Sequence, residues 1–177
     1  IHTGQHYDKN LSDIFFTELD ITKPSYVIKS GSGTHSIQTS KIMMGYEKYI
    51  SKNNKPDLCL VFGDVNSTLA CSLVAKKACI KLGLIEAGLR SFDNDMPEEI
   101  NRIVTDSISD IFFTTSKYAN KNLLNSGIKR KNIFFVGNVM IDNLINNLQK
   151  FKKPSFWLKY NLKKQNYILL TLHRPVN

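Results

Sequence analysis

The sequence predicts an α/β fold, a parallel β-sheet with flanking helices. Three observations carry this. Short apolar runs recur at 57–62, 80–85, 110–115 and 132–136. Segments with helical spacing and helix-start signals lie between them, and such alternation is the pattern of βαβ units. The run 57–62 is also apolar almost throughout, as strands buried on both faces are.

Taken in order, Ile1-His2-Thr3 reads as the end of a strand, followed by a polar turn with Gln5 and His6 and a helix through Leu11, Ile14, Phe15 and Leu19. Tyr26-Val27-Ile28 reads as a short strand. Gly31-Ser32-Gly33-Thr34 then leads into a helix through Ile42, Met43, Tyr46 and Ile50. A glycine-rich turn at a helix start can cradle a phosphate on backbone N–H groups. The same turn reads equally as a flexible loop with Thr34 as N-cap. Pro56 stops that helix before the strand 57–62, which ends in Gly63-Asp64; Val65-Asn66-Ser67-Thr68 opens the next helix.

The run 80–85 is followed at once by Glu86-Ala87-Gly88, and a loop carries Arg90, Asp93 and Asp95. Met96-Pro97-Glu98-Glu99 starts a new helix, with proline at the first helical position and acids in the first turn. A strand over 110–115, a helix from Ser116 through Leu124 ended by Gly127, and a strand over 132–136 complete the alternation. Residues 151–164 are basic and partly helical, broken by Pro154, and 167–172 reads as a strand ending in His173-Arg174.

The chain has 177 residues, enough for one domain with a core. Both ends look cut, so the chain is expected to be a segment of a longer protein. The 24 Lys+Arg outnumber the 15 Asp+Glu, for a formal charge of +9, which suits anionic ligands or acidic surfaces. The lysines are scattered and often sit beside Asn, so a solvated surface explains them as well. Cys59, Cys71 and Cys79 have no C-x-x-C spacing, so neither a disulfide framework nor a zinc site is expected. A reducing, cytoplasmic setting fits. No apolar run approaches a membrane span.

Asp64, Glu86 and His173 all follow apolar strands. In an open parallel sheet, ligands bind beyond the carboxyl ends of the strands. Each acid has a plain structural alternative: Asp64 as a helix cap, Glu98 and Glu99 as helix-dipole acids, and Glu98 with Arg102 as an i,i+4 pair. Glu86 has no such local explanation. Two acids on one edge, beside Arg90, Arg102 and Arg174, read as a site for an anionic substrate.

The motifs E-A-G-L-R-S-F (86–92) and M-P-E-E-x-N-R (96–102), with T-G-Q-H-Y-D, G-S-G-T-H-x-x-Q-T, G-D-x-N-S-T and G-N-x-M-I-D in order along the chain, resemble the non-hydrolysing UDP-N-acetylglucosamine 2-epimerases. The resemblance implies a glycosyltransferase-B-like pair of Rossmann-like domains. Residues 1–150 would form the N-terminal domain without its first strand. Residues 151–177 would form a linker and the first strand of a truncated C-terminal UDP-binding domain.

It implies interconversion of UDP-N-acetylglucosamine and UDP-N-acetylmannosamine by anti elimination and re-addition of UDP, in the supply of bacterial surface polysaccharide precursors. Asp64, Glu86 and Glu98 would be the catalytic carboxylates, and His173 would meet the nucleotide phosphates and assist departure of UDP. Gln5, His6, Gln38, Arg90, Arg102 and Arg174 would bind the sugar nucleotide. Gln5, His6 and Gln38 also match the neighbourhood where a second substrate molecule activates similar enzymes. No metal or other cofactor is expected, and a homodimer is.

Leu84 stands where the family usually has His, and Val176 where it has an acid. With the first strand and most of the second domain missing, the segment alone is expected to be inactive. A hydrolysing 2-epimerase and a glycosyltransferase of the same fold are the nearest alternatives. A basic nucleic-acid-binding module is a further one, for which no recognisable motif is present.

Overall fold

The computed structural model describes residues 1–5, 16, 18, 19 and 21–172. The helix expected through Leu11, Ile14, Phe15 and Leu19, and the expected site residues His6, His173 and Arg174, lie wholly or mostly outside the described residues. The chain divides into two compact units, Ile1–Asn138 and Val139–Asn177.

The first unit holds the sheet. Helix α1 (His35–Lys52) starts after Thr34, whose hydroxyl accepts the Ile37 N–H, so Thr34 is the N-cap. Strand β1 (Leu58–Phe62), helix α2 (Asn66–Lys77), strand β2 (Lys81–Ile85), helix α3 (Pro97–Ile108), strand β3 (Ile111–Thr114), helix α4 (Lys117–Asn125) and strand β4 (Ile133–Phe135) follow. All pairings are parallel, and the spatial order is β1-β2-β3-β4. The α/β class expected from the alternation, and described as Rossmann-like by the resemblance, is the class observed.

Strands laid down side by side in sequence order, through right-handed crossovers, place the connecting helices on one face. Burial follows: Val61, Leu82, Leu84 and Phe112 are buried, whereas Leu58, Leu60 and Phe62, which alternate with them, are exposed. On the exposed side, a Cβ on Gly83 would lie 2.6 Å from Leu60 Cδ2, so this glycine lets the leucine lie flat across β2. The core gathers Ile28, Tyr46, Val61, Val74, Ile80, Leu82, Leu84, Phe112 and Leu123. Burial pushes the Cys71 thiol up to about 12 and raises that of Cys59, so both remain protonated fillers.

Tyr26-Val27-Ile28 forms one parallel bridge, His2 to Val27, with His2 N–H donating to Tyr26 O at 2.9 Å and Ile28 N–H to His2 O at 2.8 Å. It is not a strand of the sheet.

The second unit contains α5 (Val139–Asn147) and the short α6 (Ser155–Lys159), which begins directly after Pro154. Trp157 packs edge-on against Tyr167 at 5.0 Å, and Lys153 lies 4.9 Å from the Trp157 ring centre. The expected strand over 167–172 is not formed among the described residues, and Ile168, Leu169 and Leu170 are exposed. A strand is held by its neighbours, and among the described residues this apolar run pairs with none.

Candidate active site

The site is built where β1 and β2 end. Gly63 leaves β1 with φ +62° and donates its N–H to Ile85 O at 3.1 Å, locking the two strand ends together. Asp64 follows Gly63, and Glu86 follows Ile85. A Cβ on Gly63 would lie 3.5 Å from Glu86 Oε2, which places the Glu86 carboxyl over the β1–α2 turn. The sequence-based expectation that these acids share one edge therefore holds in the structure.

Glu86 has φ +71°, in the left-handed region that L-residues other than Asn and Asp rarely occupy. Such backbone outliers concentrate at functional sites. Its carboxyl is raised above the usual range by burial, with the neighbouring Asp64 adding to the effect and Arg102 opposing it. One carboxyl of the pair is thus biased toward holding a proton beside one that sits on a cation.

Asp64 is not the helix cap it resembles. The N-cap of α2 is Val65, without a side-chain bond, and the Asp64 carboxylate instead accepts from Arg102 Nη2. Its backbone carbonyl accepts from Asn101 Nδ2 at 2.7 Å. Arg102 also gives Nη1 to Glu99 Oε2 at 2.7 Å. The helix pair formed is therefore i,i+3 with Glu99. Glu98, in the same first turn of α3, is half-buried and Glu99 fully buried.

Arg90, expected at the substrate, is turned inward. Its Nη1 lies 2.6 Å from Asp106 Oδ2 and donates to Leu89 O at 2.7 Å, with the side chain 10% exposed. Asp106 Oδ1 also accepts the Gly88 N–H at 3.3 Å, and Asn122 Nδ2 donates to Gly88 O at 2.9 Å. Burial raises the Asp106 carboxyl, against the pull of Arg90. Arg90, Asp106 and Asn122 thus hold the Glu86–Arg90 turn in place, a structural task that reading Arg90 as one of the arginines beside the acids did not distinguish from substrate binding.

Gln5 and Gln38 both reach the first turn of α2. Gln5 Oε1 accepts the Ser67 N–H at 2.9 Å and the Ser67 hydroxyl at 2.6 Å. Gln38 Oε1 accepts from Asn66 Nδ2 at 2.9 Å, and its Nε2 donates to Gly31 O at 3.1 Å. The unpaired N–H groups of a helix start need such acceptors. A polar network thus runs from Gln38 through Asn66 and Asn101 to Asp64 and Arg102, while Gln5 holds Ser67 beside it.

Asn66, Asn101, Glu99 and Asp106 were not singled out from sequence as site residues. The one local signal was Glu99 three residues before Arg102. The others are polar residues inside helices, whose partners are remote in sequence. Among the described residues, no group of three or more His, Cys, Asp or Glu is placed to hold a metal. No helix among them is long and apolar enough to cross a membrane.

A parallel α/β sheet with paired carboxylates and an arginine at the carboxyl edge of adjacent strands defines the class: an enzyme-type ligand site beyond the strand ends of an α/β sheet. Residues 1–177 match the family model described as UDP-N-acetylglucosamine 2-epimerase, and the chain belongs to that family. A Methanococcus maripaludis protein called a UDP-N-acetylglucosamine 2-epimerase homolog is 50% identical over 179 residues, covering 100% of this chain and 50% of the relative. A Pseudomonas aeruginosa UDP-2,3-diacetamido-2,3-dideoxy-D-glucuronate 2-epimerase is 47% identical over 180 residues, covering 100% of this chain and 49% of the relative.

The crystal structure of Methanocaldococcus jannaschii UDP-GlcNAc 2-epimerase in complex with UDP-GlcNAc and UDP superposes with a TM-score of 0.83 at 46% identity, over 90% of this chain and 44% of that one. The chain therefore spans about half the length of the relatives it matches.

Proposed function

We propose that the intact protein epimerises a UDP-2-acetamido sugar at C2, with UDP-N-acetylglucosamine and UDP-N-acetylmannosamine as the pair. The observation that carries this is the juxtaposition of Asp64 and Glu86 at the sheet edge, one paired with Arg102 and the other buried toward its protonated form. The C2 proton is weakly acidic, so its loss must be coupled to departure of the diphosphate. A carboxylate takes the proton, the C2–H electrons form the C1=C2 bond, and the C1–O bond breaks with its pair leaving on UDP. The reverse steps follow, with a proton delivered to the opposite face of C2.

Two carboxyls in different environments, one on an arginine and one partly buried, suit such work. Asp64, Glu86 and Glu98 are the carboxylates in this reading. His173 and Arg174 meet the phosphates, Arg102 stands beside the sugar, and Gln5 and Gln38, with His6, line the place of a second, activating sugar nucleotide. The protein acts as a cytoplasmic homodimer supplying surface-polysaccharide precursors.

Isothermal titration of the intact protein with UDP-N-acetylglucosamine in chelator, followed by NMR of solvent deuterium entering C2, tests this. Absence of both binding and exchange defeats it. The Pseudomonas relative favours a second reading, in which the sugar is a UDP-2,3-diacetamido uronate. Comparing kcat/KM for the two sugars separates them.

A further inference from the structure

We propose that Glu99 is a positioning residue for the Asp64–Glu86 pair, acting through Arg102; the role in catalysis rests on the function proposed above. An acid in the first turn of a helix ordinarily lies in solvent and serves the dipole. Glu99 is 1% exposed and accepts four hydrogen bonds. They come from Ser91 N–H at 3.0 Å, Ser91 Oγ at 3.0 Å, Phe92 N–H at 3.3 Å and Arg102 Nη1 at 2.7 Å.

The guanidinium is planar and rigid, so fixing one terminal nitrogen fixes the direction of the other. Nη1 is held by the buried Glu99, and Nη2 meets Asp64. Asn101, on the same helix, holds the Asp64 backbone carbonyl at 2.7 Å. Helix α3 therefore grips Asp64 at two points, and the side-chain grip is anchored at Glu99. The same Glu99 oxygen accepts from Ser91, joining the loop after Glu86 to the arginine.

A glutamine at 99 keeps the shape and an acceptor for Ser91, but replaces a charged acceptor of Arg102 by a neutral amide. Ser91→Ala removes one loop contact and leaves the arginine pair intact. Both variants are made in the intact protein. Glu99→Gln is expected to lower kcat by about 100-fold, the scale of a small misplacement at a reacting centre, with little change in KM. Ser91→Ala is expected to keep kcat close to the parent's.

Arginine side-chain NMR gives a readout free of activity. The separate Nη–H signals of Arg102, resolved when its rotation is restrained, should persist in Ser91→Ala and collapse in Glu99→Gln. Unchanged Arg102 signals in Glu99→Gln, or equal losses of kcat in both variants tracking their Tm, overturn the positioning role. An inactive parent whose Arg102 signals still collapse in Glu99→Gln defeats the proposed function and with it the catalytic part of this role, leaving Glu99 as the anchor of Arg102.

Discussion

Arg102, on α3, ion-pairs with Asp64, which lies 38 positions earlier at the end of β1. Its other terminal nitrogen sits on the buried Glu99. Removing the cation strands a carboxylate that is 1% exposed. Arg102→Met is therefore expected to destabilise the intact protein by about 3–5 kcal/mol, the range for breaking a buried pair from one side. Denaturant unfolding followed by circular dichroism measures it. A change within about 0.5 kcal/mol, the usual surface scatter, would contradict the burial argument.

Gly88 has no room for a side chain. Its φ is +76°, and an added Cβ would stand 2.5 Å from Ala119 O and 2.8 Å from Leu123 Cγ. Gly88→Ala is expected to destabilise by more than about 1 kcal/mol and to displace the turn carrying Glu86. A parent-like Tm for this variant would refute the close approach to α4.

The acid limb of stability follows from Glu99 and Asp110. Burial raises each carboxyl, yet donors outweigh it: Ser91, Arg102 and Phe92 at Glu99, and Lys76 with the Leu82 N–H at Asp110. Both end below their ordinary values. A carboxyl lowered in the folded state binds fewer protons there than when unfolded, so its contribution is full above the unfolded pKa. It is lost as pH falls through the folded one. Stability should fall below about pH 5, and less steeply in Glu99→Gln. Parallel acid limbs for parent and variant would exclude Glu99 as a contributor.

Glu86 works in the opposite sense. Its carboxyl is raised, chiefly by burial, so its contribution is full below the unfolded pKa and lost as pH rises through the folded value. The charged groups facing it are Asp64 from the β1–α2 turn and Arg102 from α3. Asp64→Asn removes the like charge and should move the Glu86 midpoint down. Carbon-detected NMR of the Glu86 carboxyl reads this, and an upward movement would contradict the placement.

The proton-transfer roles are tested at C2. Glu86→Gln and Glu98→Gln should still bind the UDP sugar and lose deuterium incorporation by about 10²–10⁴-fold, the usual scale of general acid–base catalysis. Near-normal exchange in both variants would move the acid–base work to Asp64.

Apolar runs bounded by turn residues made the four strands legible, although the two-sided burial expected of 57–62 is not met: Leu58, Leu60 and Phe62 are exposed. The carboxyl edge was legible with them, since Asp64 and Glu86 stand directly after two such runs. The family was written in contiguous motifs. Helix α3 was not legible in the same way. It buries Glu99, Asn101, Thr105 and Asp106 and leaves Ile100 and Ile103 half exposed.

Apolar periodicity alone would turn that helix the other way. The polar face goes inward because its partners are there: the Asp64 carbonyl and carboxylate, Ser91, Gly88 and Arg90. The sequence by itself determined the alternation, the strands and the family. Only the tertiary structure decided that Glu99 is buried, that Arg90 holds a turn and that Arg102 bridges Glu99 to Asp64. Pairing of a buried charge depends on residues brought together from remote parts of the chain, and no local period encodes it.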